Sequence, residues 1–407
     1  MVGQTWGSWA RRAAACCAAC VVWLVAVTVW GQEGLMFKQG EPLAYENLTV
    51  FPLYPVQADA APQEDFLTFE EASAQKRIEV TELDGNENSA QVNAVHVSNL
   101  GDRPIFLLAG EIILGGKQDR VVGQSTVILP KQAKVRVQVF CVEQGRWDGR
   151  AGFQASGKMG HAKLREMAVF QDNQGLVWRE VAEANQKRGA APSTGTYRAS
   201  LEQAGQDRQT QAYVDALLPS LAKDDKAIGV AVAIDGKLDA VDTFMNPKLF
   251  GRVREKLLYA YALEAASSPE AGQKKQASAQ DAESFFQEIQ KAQQTQRQTK
   301  SGEATNIYFD DAELSGVQTQ GEGQAPVHTF YKRKSAVKQD APEQRYLGNE
   351  DLNEAQLNNI GPIRQQRRRA PQGPQSQGPQ QQAAPVEVQQ QAPLNIPDEE
   401  FPLHEEE

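Results

Sequence analysis

The chain has 407 residues, with 42 Lys and Arg against 52 Asp and Glu, for a net charge of −10. This acidic balance excludes a generally basic nucleic-acid binder, and a mean hydropathy of −0.52 excludes a multi-span membrane protein. Four cysteines are too few for a disulfide scaffold, while the length admits two or three domains of roughly 100–200 residues each.

Residues 1–31 pair Arg11 and Arg12 with an uncharged run from Ala13 to Trp30, the layout of a secretory signal. Val29 and Gly31 then occupy the small-residue positions of a cleavage site before Gln32. The apolar run of about 17 residues is also at the lower limit for a spanning helix, so an uncleaved signal anchor is the second reading. Both readings place the remainder outside the cytoplasm, periplasmic or extracellular, with membrane contact only through residues 13–30. Cys16, Cys17 and Cys20 fall inside this segment, leaving Cys141 alone in the exported part. Loss of the two arginines takes the net charge from −10 to −12.

Beyond the signal, residues 35–334 have the periodicity of one α+β domain, rich in strands in its first half. Residues 46–56, 77–83, 91–100, 104–116, 120–130 and 134–143 each alternate or run apolar as strands do. Helical spacing follows over 162–172, 176–189 and 208–222. A strand pair at 227–244 turns at Asp235-Gly236, a hairpin dipeptide. Asn246-Pro247 is an N-cap followed by proline at the first helical position, and Leu249, Val253, Leu257 and Tyr261 mark one buried stripe. Residues 266–280 read as a flexible Ser/Gln/Lys-rich insertion. Ser278 and Asp281 then cap a helix bearing Phe285, Phe286 and Ile289, and strands at 306–310 and 327–332 close the domain. From 335 to 407 the chain holds 14 Gln and 9 Pro, a composition too poor in apolar residues to offset chain entropy. This tail is expected to be disordered.

The chemistry-bearing candidates lie in two stretches. In LLAGEIILGGKQDRVV (107–122), Glu111 interrupts an apolar run and needs a partner if buried. A two-residue turn at Gly115-Gly116 sets Glu111 opposite Arg120, with Gln118 on the same face. That pairing is either a register-holding ion pair or a polar site, with Arg120 gripping an anion and Glu111 acting as a base. In CVEQGRW (141–147), alternation with Val135, Val137 and Val139 puts Cys141 on the apolar side, as an inert thiol. Glu143, Arg146 and Trp147 follow at the strand end, where they line a cleft or form a Trp plug with Arg stacked on it.

Other motifs fail. GFQASGKM (152–159) has the glycines and lysine of a phosphate loop, but Met159 replaces the Mg²⁺-holding hydroxyl. His96, His161, His328 and His404 are dispersed, without metal-ligand spacing, and no cofactor motif is present.

The two stretches together resemble a bacterial family of unknown function, the ARG and rhodanese-phosphatase-superfamily-associated protein domain. The residues that carry the likeness are Gly110-Glu111, Gly115-Gly116, Gln118, Arg120 and Cys141 through Trp147, then Gly229-Val230-Ala231 and Val327-His328. The resemblance covers about residues 40–333 and implies a single domain. The family name implies genomic association with ADP-ribosylglycohydrolase-like and phosphatase-like proteins, and no particular activity.

Three functions compete. The first is an exported accessory protein that binds a small anionic ligand or an envelope protein, with Gln118, Arg120, Arg146 and Trp147 as contacts. The second is a metal-independent hydrolase or transferase on an anionic, nucleotide-like substrate, with Glu111 or Glu143 as acid/base. The third is a structural envelope protein. A convergence of Glu111, Arg120, Glu143 and Arg146 in one open pocket would favour the enzyme.

Overall fold

The computed structural model describes residues 35–56, 64–83, 93–146, 152–206, 208–292, 296–321 and 326–335. The signal segment, Trp147, His404 and the Gln/Pro-rich stretch from 336 onward lie outside the described residues.

Alternating apolar residues build a principal sheet of nine strands. Its members are β1 (Phe37–Gln39), β2 (Leu43–Tyr45) and β3 (Leu48–Pro55) from the start of the domain. The rest come in later order, after β4 (Leu67–Thr68), α1 (Phe69–Ala74), β5 (Ile78–Glu82), β6 (Ala94–Asn99), β7 (Ile105–Leu107), β8 (Glu111–Gly115), β9 (Arg120–Val122), β10 (Thr126–Ile128), β11 (Val135–Cys141) and β12 (Phe153–Met159). Four helices intervene: α2 (Ala162–Val169), α3 (Gln174–Lys187), α4 (Tyr197–Gln206) and α5 (Arg208–Lys223). The sheet then resumes with β13 (Gly229–Ile234) and β14 (Lys237–Thr243), and two helices follow, α6 (Pro247–Ala266) and α7 (Ala279–Ala292). It ends with β15 (Gln296–Ser301), β16 (Ala304–Asp310), β17 (Leu314–Gly321) and β18 (Pro326–Arg333).

The order across the principal sheet is β1-β3-β13-β14-β18-β17-β16-β15, with β2 paired to β3. Because side chains alternate, its two faces feed different cores. Val50, Val230, Val232 and Phe330 pack with α5 and α6 on one face. Phe51, Ala231, Val241 and Tyr331 pack with α7 on the other. A second sheet, β12-β8-β9-β11-β6-β5, is likewise covered on both faces. Ile112, Val121 and Phe140 meet α2, α3 and α4, while Ile113, Val122, Val137 and Val139 meet α1 and the small sheet β10-β7-β4. The fold class is α+β, in one domain.

Local turn chemistry is realised as expected. Asp235 and Gly236 both take positive φ, 55° and 75°, which lets two residues reverse the β13–β14 hairpin. The Asn246 side chain accepts the Leu249 amide at 3.1 Å and Pro247 opens α6. Ser278 and Asp281 exchange bonds at the head of α7.

Other expectations are corrected. The run 104–116 is two strands, not one, because Gly110 (φ 97°) breaks it in a turn. Likewise 120–130 divides into β9 and β10. The stripe expected on α6 underestimates its burial: Leu257, Leu258, Ala260, Tyr261, Ala262 and Leu263 are all buried, so its second half is enclosed on every side. The rejected phosphate-loop match falls on β12, whose pairing with β8 is irregular between Ala155 and Met159.

Candidate functional site

The β8–β9 hairpin positions the first motif, and its register differs from the one expected. Ile113 lies opposite Arg120 and Ile112 opposite Val121, so the chain reverses at Gly116-Lys117. Gly115 stays in the strand because it pairs with Phe153 of β12, where a Cβ would stand 2.1 Å from the Gly152 carbonyl oxygen. Its amide donates to Asp119 Oδ1 at 2.9 Å. The two-residue shift moves Arg120 away from Glu111, and the expected Glu111–Arg120 ion pair does not form.

Glu111 turns instead to α6. Its Oε1 takes the Lys256 ammonium, which also binds both carboxylate oxygens of Glu70, and its Oε2 accepts the Leu108 amide at 3.0 Å. Burial pushes the Glu111 carboxyl up to about 7, against the opposing pull of Lys256.

Gln118, Arg120, Glu143 and Arg146 come together in a second network, while Trp147 lies outside the described residues. Arg146 Nε donates to Glu143 Oε2 at 2.7 Å and Nη1 to the Gly116 carbonyl at 2.7 Å, while Nη2 reaches Asp119 Oδ1 at 3.2 Å. Glu143 also accepts Thr194 Oγ1 at 2.8 Å and the Asp119 amide at 3.3 Å. Burial opposes its ionisation, but the bonds from Arg146 and Thr194 prevail and hold its carboxyl below the ordinary range. Gln118 donates to the Glu143 carbonyl at 2.7 Å, and Arg198 closes the lattice on Asp119 at 2.8 Å. Both sequence motifs thus clamp the hairpin turn onto the 143–146 turn and the start of α4.

Arg120 is the exception within this network. It is wholly buried, at 0% exposure. Its Nη1 donates to the Gln118 carbonyl at 2.9 Å, yet Nε and Nη2 find no hydrogen-bond acceptor among the described residues. The nearest anion is Glu82 at the end of β5, whose Oε2 stands 3.6 Å from Nη2 and is itself without a bond. Glu82 is held by its other oxygen, which accepts the Lys117 amide at 2.9 Å, and its side chain is 21% exposed. Cys141 lies across the strand from Arg120, fully buried, with its thiol pushed up to about 11 by burial.

Sequence reasoning missed a densely bonded polar cluster centred on Asp242. Asp242 of β14 accepts Arg165 Nη1 and Nη2 at 3.0 and 2.8 Å, Tyr261 OH at 2.5 Å and His328 Nε2 at 2.9 Å. His328 Nδ1 faces Ser125 Oγ at 3.2 Å, and Ser125 Oγ accepts the Ala109 amide at 3.0 Å. Since Nε2 must donate to the carboxylate, Nδ1 accepts from the hydroxyl. Serine, histidine and aspartate are therefore chained as in a hydrolase, but the constellation is spent on structure. All three are buried, Arg165 neutralises Asp242, and burial lowers the basicity of His328 despite Asp242. The available signal was Arg165 and Asp242 at apolar-phase positions of a helix and a strand.

A third cluster joins His161 to Tyr197 OH at 2.7 Å and Glu180 Oε1 at 2.9 Å, with Lys163 on the other Glu180 oxygen at 2.6 Å. A surface cleft of about 410 Å³ lies elsewhere, lined by Asp239, Glu264, Glu270, Lys275, Lys332 and Arg333 among others, and no nominated residue contributes to it. No group of three potential metal ligands occurs among the described residues.

A model of the ARG and Rhodanese-Phosphatase-superfamily-associated Protein domain matches residues 37–331. No curated protein and no solved structure matches the chain.

Proposed function

The chain belongs to the ARG and Rhodanese-Phosphatase-superfamily-associated Protein domain family, and from that premise we propose an exported binding or accessory protein whose anchor for an anionic group is Arg120. One observation carries the reading: a fully buried guanidinium retains two nitrogens without acceptors. A buried cation so placed is costly unless another acceptor completes it. Glu82 is the placeholder. A carboxylate or phosphate oxygen entering past it would take Nε and Nη2 together, the two-point geometry for which arginine is suited.

The acid/base alternative loses support from the same geometry. Glu111 and Glu143 belong to separate networks, and Glu143 already accepts bonds on both carboxylate oxygens. Export rests on Arg11-Arg12 and the apolar run behind them, and N-terminal sequencing of the mature protein should begin at Gln32 if the signal is cleaved.

Thermal unfolding in the presence of a panel of carboxylates, inorganic phosphate, nucleotides and ADP-ribose tests the site. A rise in Tm with at least one anion is expected, lost in Arg120→Lys while the circular dichroism spectrum is kept. A flat response across the panel, or an undiminished one in Arg120→Lys, would overturn the assignment.

A further inference from the structure

Lys256 is 8% exposed, and its ammonium serves two carboxylates at once: Glu70 of α1 at 2.7 and 2.8 Å, and Glu111 at the head of β8. With both acids ionised, this enclosed site carries one negative charge too many. A single proton removes the excess, and it belongs on the carboxylate that water cannot reach. Glu111 is 1% exposed, whereas the Glu70 side chain is 29% exposed.

The other elements packed around Glu111 add no competing charge. From α2, Arg165 lays its stem against Gly110, but its guanidinium is committed to Asp242. From β12, Met159 lies opposite Glu111, and the neighbouring Lys158 holds its ammonium over the Tyr259 ring at 4.1 Å. From the turn before β8, the Leu108 amide donates to Oε2.

We propose that this cluster is a proton-controlled latch on α1, in which Lys256 changes partner. With a proton on Glu111, the ammonium belongs to Glu70 and ties α1 to α6. When Glu111 ionises, the buried carboxylate draws Lys256 to itself, and Glu70 is released to water. The helix is then held by its buried Phe69 and Ala72, its Thr68–Glu71 capping box and the 3.4 Å contact of Arg252 with Glu71. Burial sets the Glu111 titration at about 7, above its ordinary 4.5, so the proton is retained through the mildly acidic range. The latch is therefore fastened below neutrality and loosens as pH rises through it. α1 packs on β12, β4, β5 and β7, so its release loosens that face of the second sheet.

Amide hydrogen exchange on the full chain at about pH 5.5 and about pH 8.5, corrected for intrinsic exchange, reads the latch directly. Amides of 69–75 should exchange severalfold faster at the higher pH, with α6 unchanged. Glu111→Gln, a neutral side chain of the same shape, should keep them slow at both values. Glu70→Gln should make them fast at both. Equal protection of the wild type at the two pH values, or an undiminished pH response in Glu111→Gln, overturns the proposal. If either variant fails to fold, infrared difference spectra of the wild type decide. A protonated-carboxyl band that vanishes near neutrality supports the latch, and the absence of one refutes it.

Discussion

Asp242→Asn should be among the most damaging isosteric changes in this protein. The carboxylate receives four hydrogen bonds, two from Arg165 and one each from Tyr261 and His328, with neither Asp242 nor Arg165 exposed. An amide offers one oxygen, and its NH₂ would confront donors in place of an acceptor. Arg165 cannot discard its proton, so it becomes an uncompensated buried cation. Removing one partner of a buried pair costs about 3–5 kcal/mol, and the top of that range applies when both members are dry. At 2–4 °C per kcal/mol, the expected fall in Tm is roughly 10–20 °C. Urea unfolding followed by circular dichroism gives the loss directly, with an unchanged m-value showing that the unfolded reference has not moved. A second arm isolates the cause. Adding Arg165→Met removes the stranded charge and should recover part of the stability, because an apolar replacement of the whole pair is often neutral. A loss below about 1 kcal/mol in Asp242→Asn, or a double variant no better than the single one, would refute the reasoning.

Ser125→Ala strands the Ala109 amide and removes the donor to His328, and chemical denaturation should show a loss of about 1–3 kcal/mol. Arg146→Lys keeps the charge but cannot reach Glu143, Asp119 and the Gly116 carbonyl together. A loss of about 2–3 kcal/mol is expected from the same measurement. Cys141 should resist thiol reagents at about pH 8 until urea unfolds the domain, since it is enclosed and its thiol titrates at about 11. In Glu180, burial is outweighed by His161 and Lys163, which hold its carboxyl at about 2. Its folded value lies below the ordinary 4.5, so the stabilisation is complete above 4.5 and is lost as pH falls toward 2. Glu180→Gln should accordingly flatten the acid limb of the stability profile, by about 3 kcal/mol across that window.

The features legible in the sequence are those decided over a few residues. Asp235-Gly236, Asn246-Pro247 and Ser278 with Asp281 each act within one turn, and the structure uses all three as read. Alternation likewise placed Cys141 with Val135, Val137 and Val139 on the buried side of β11. What escaped depended on distant partners. Gly115-Gly116 is a sound turn dipeptide, yet β12 holds Gly115 in the sheet, and nothing near it in sequence announces this. Glu111 signalled a need for a partner, but that partner, Lys256, lies 145 residues away on a helix. Arg165 and Asp242 are 77 residues apart, and the apolar phase of each shows burial without naming the partner. The density of Gly, Glu and Arg in the two motifs marks a hairpin clamp, in which the buried Arg120 is incompletely bonded.

The order of strands in the principal sheet constrains when the sheet can form. β3, near the start of the domain, has β13 as its inner neighbour, and β14 is bounded on its far side by β18, which ends at Arg333. During synthesis, β3, already flanked by β1 and β2, waits for about 180 residues before its inner neighbour β13 emerges, and the sheet closes only after nearly the whole domain has left the ribosome. Pairings so remote in sequence also make closure slow.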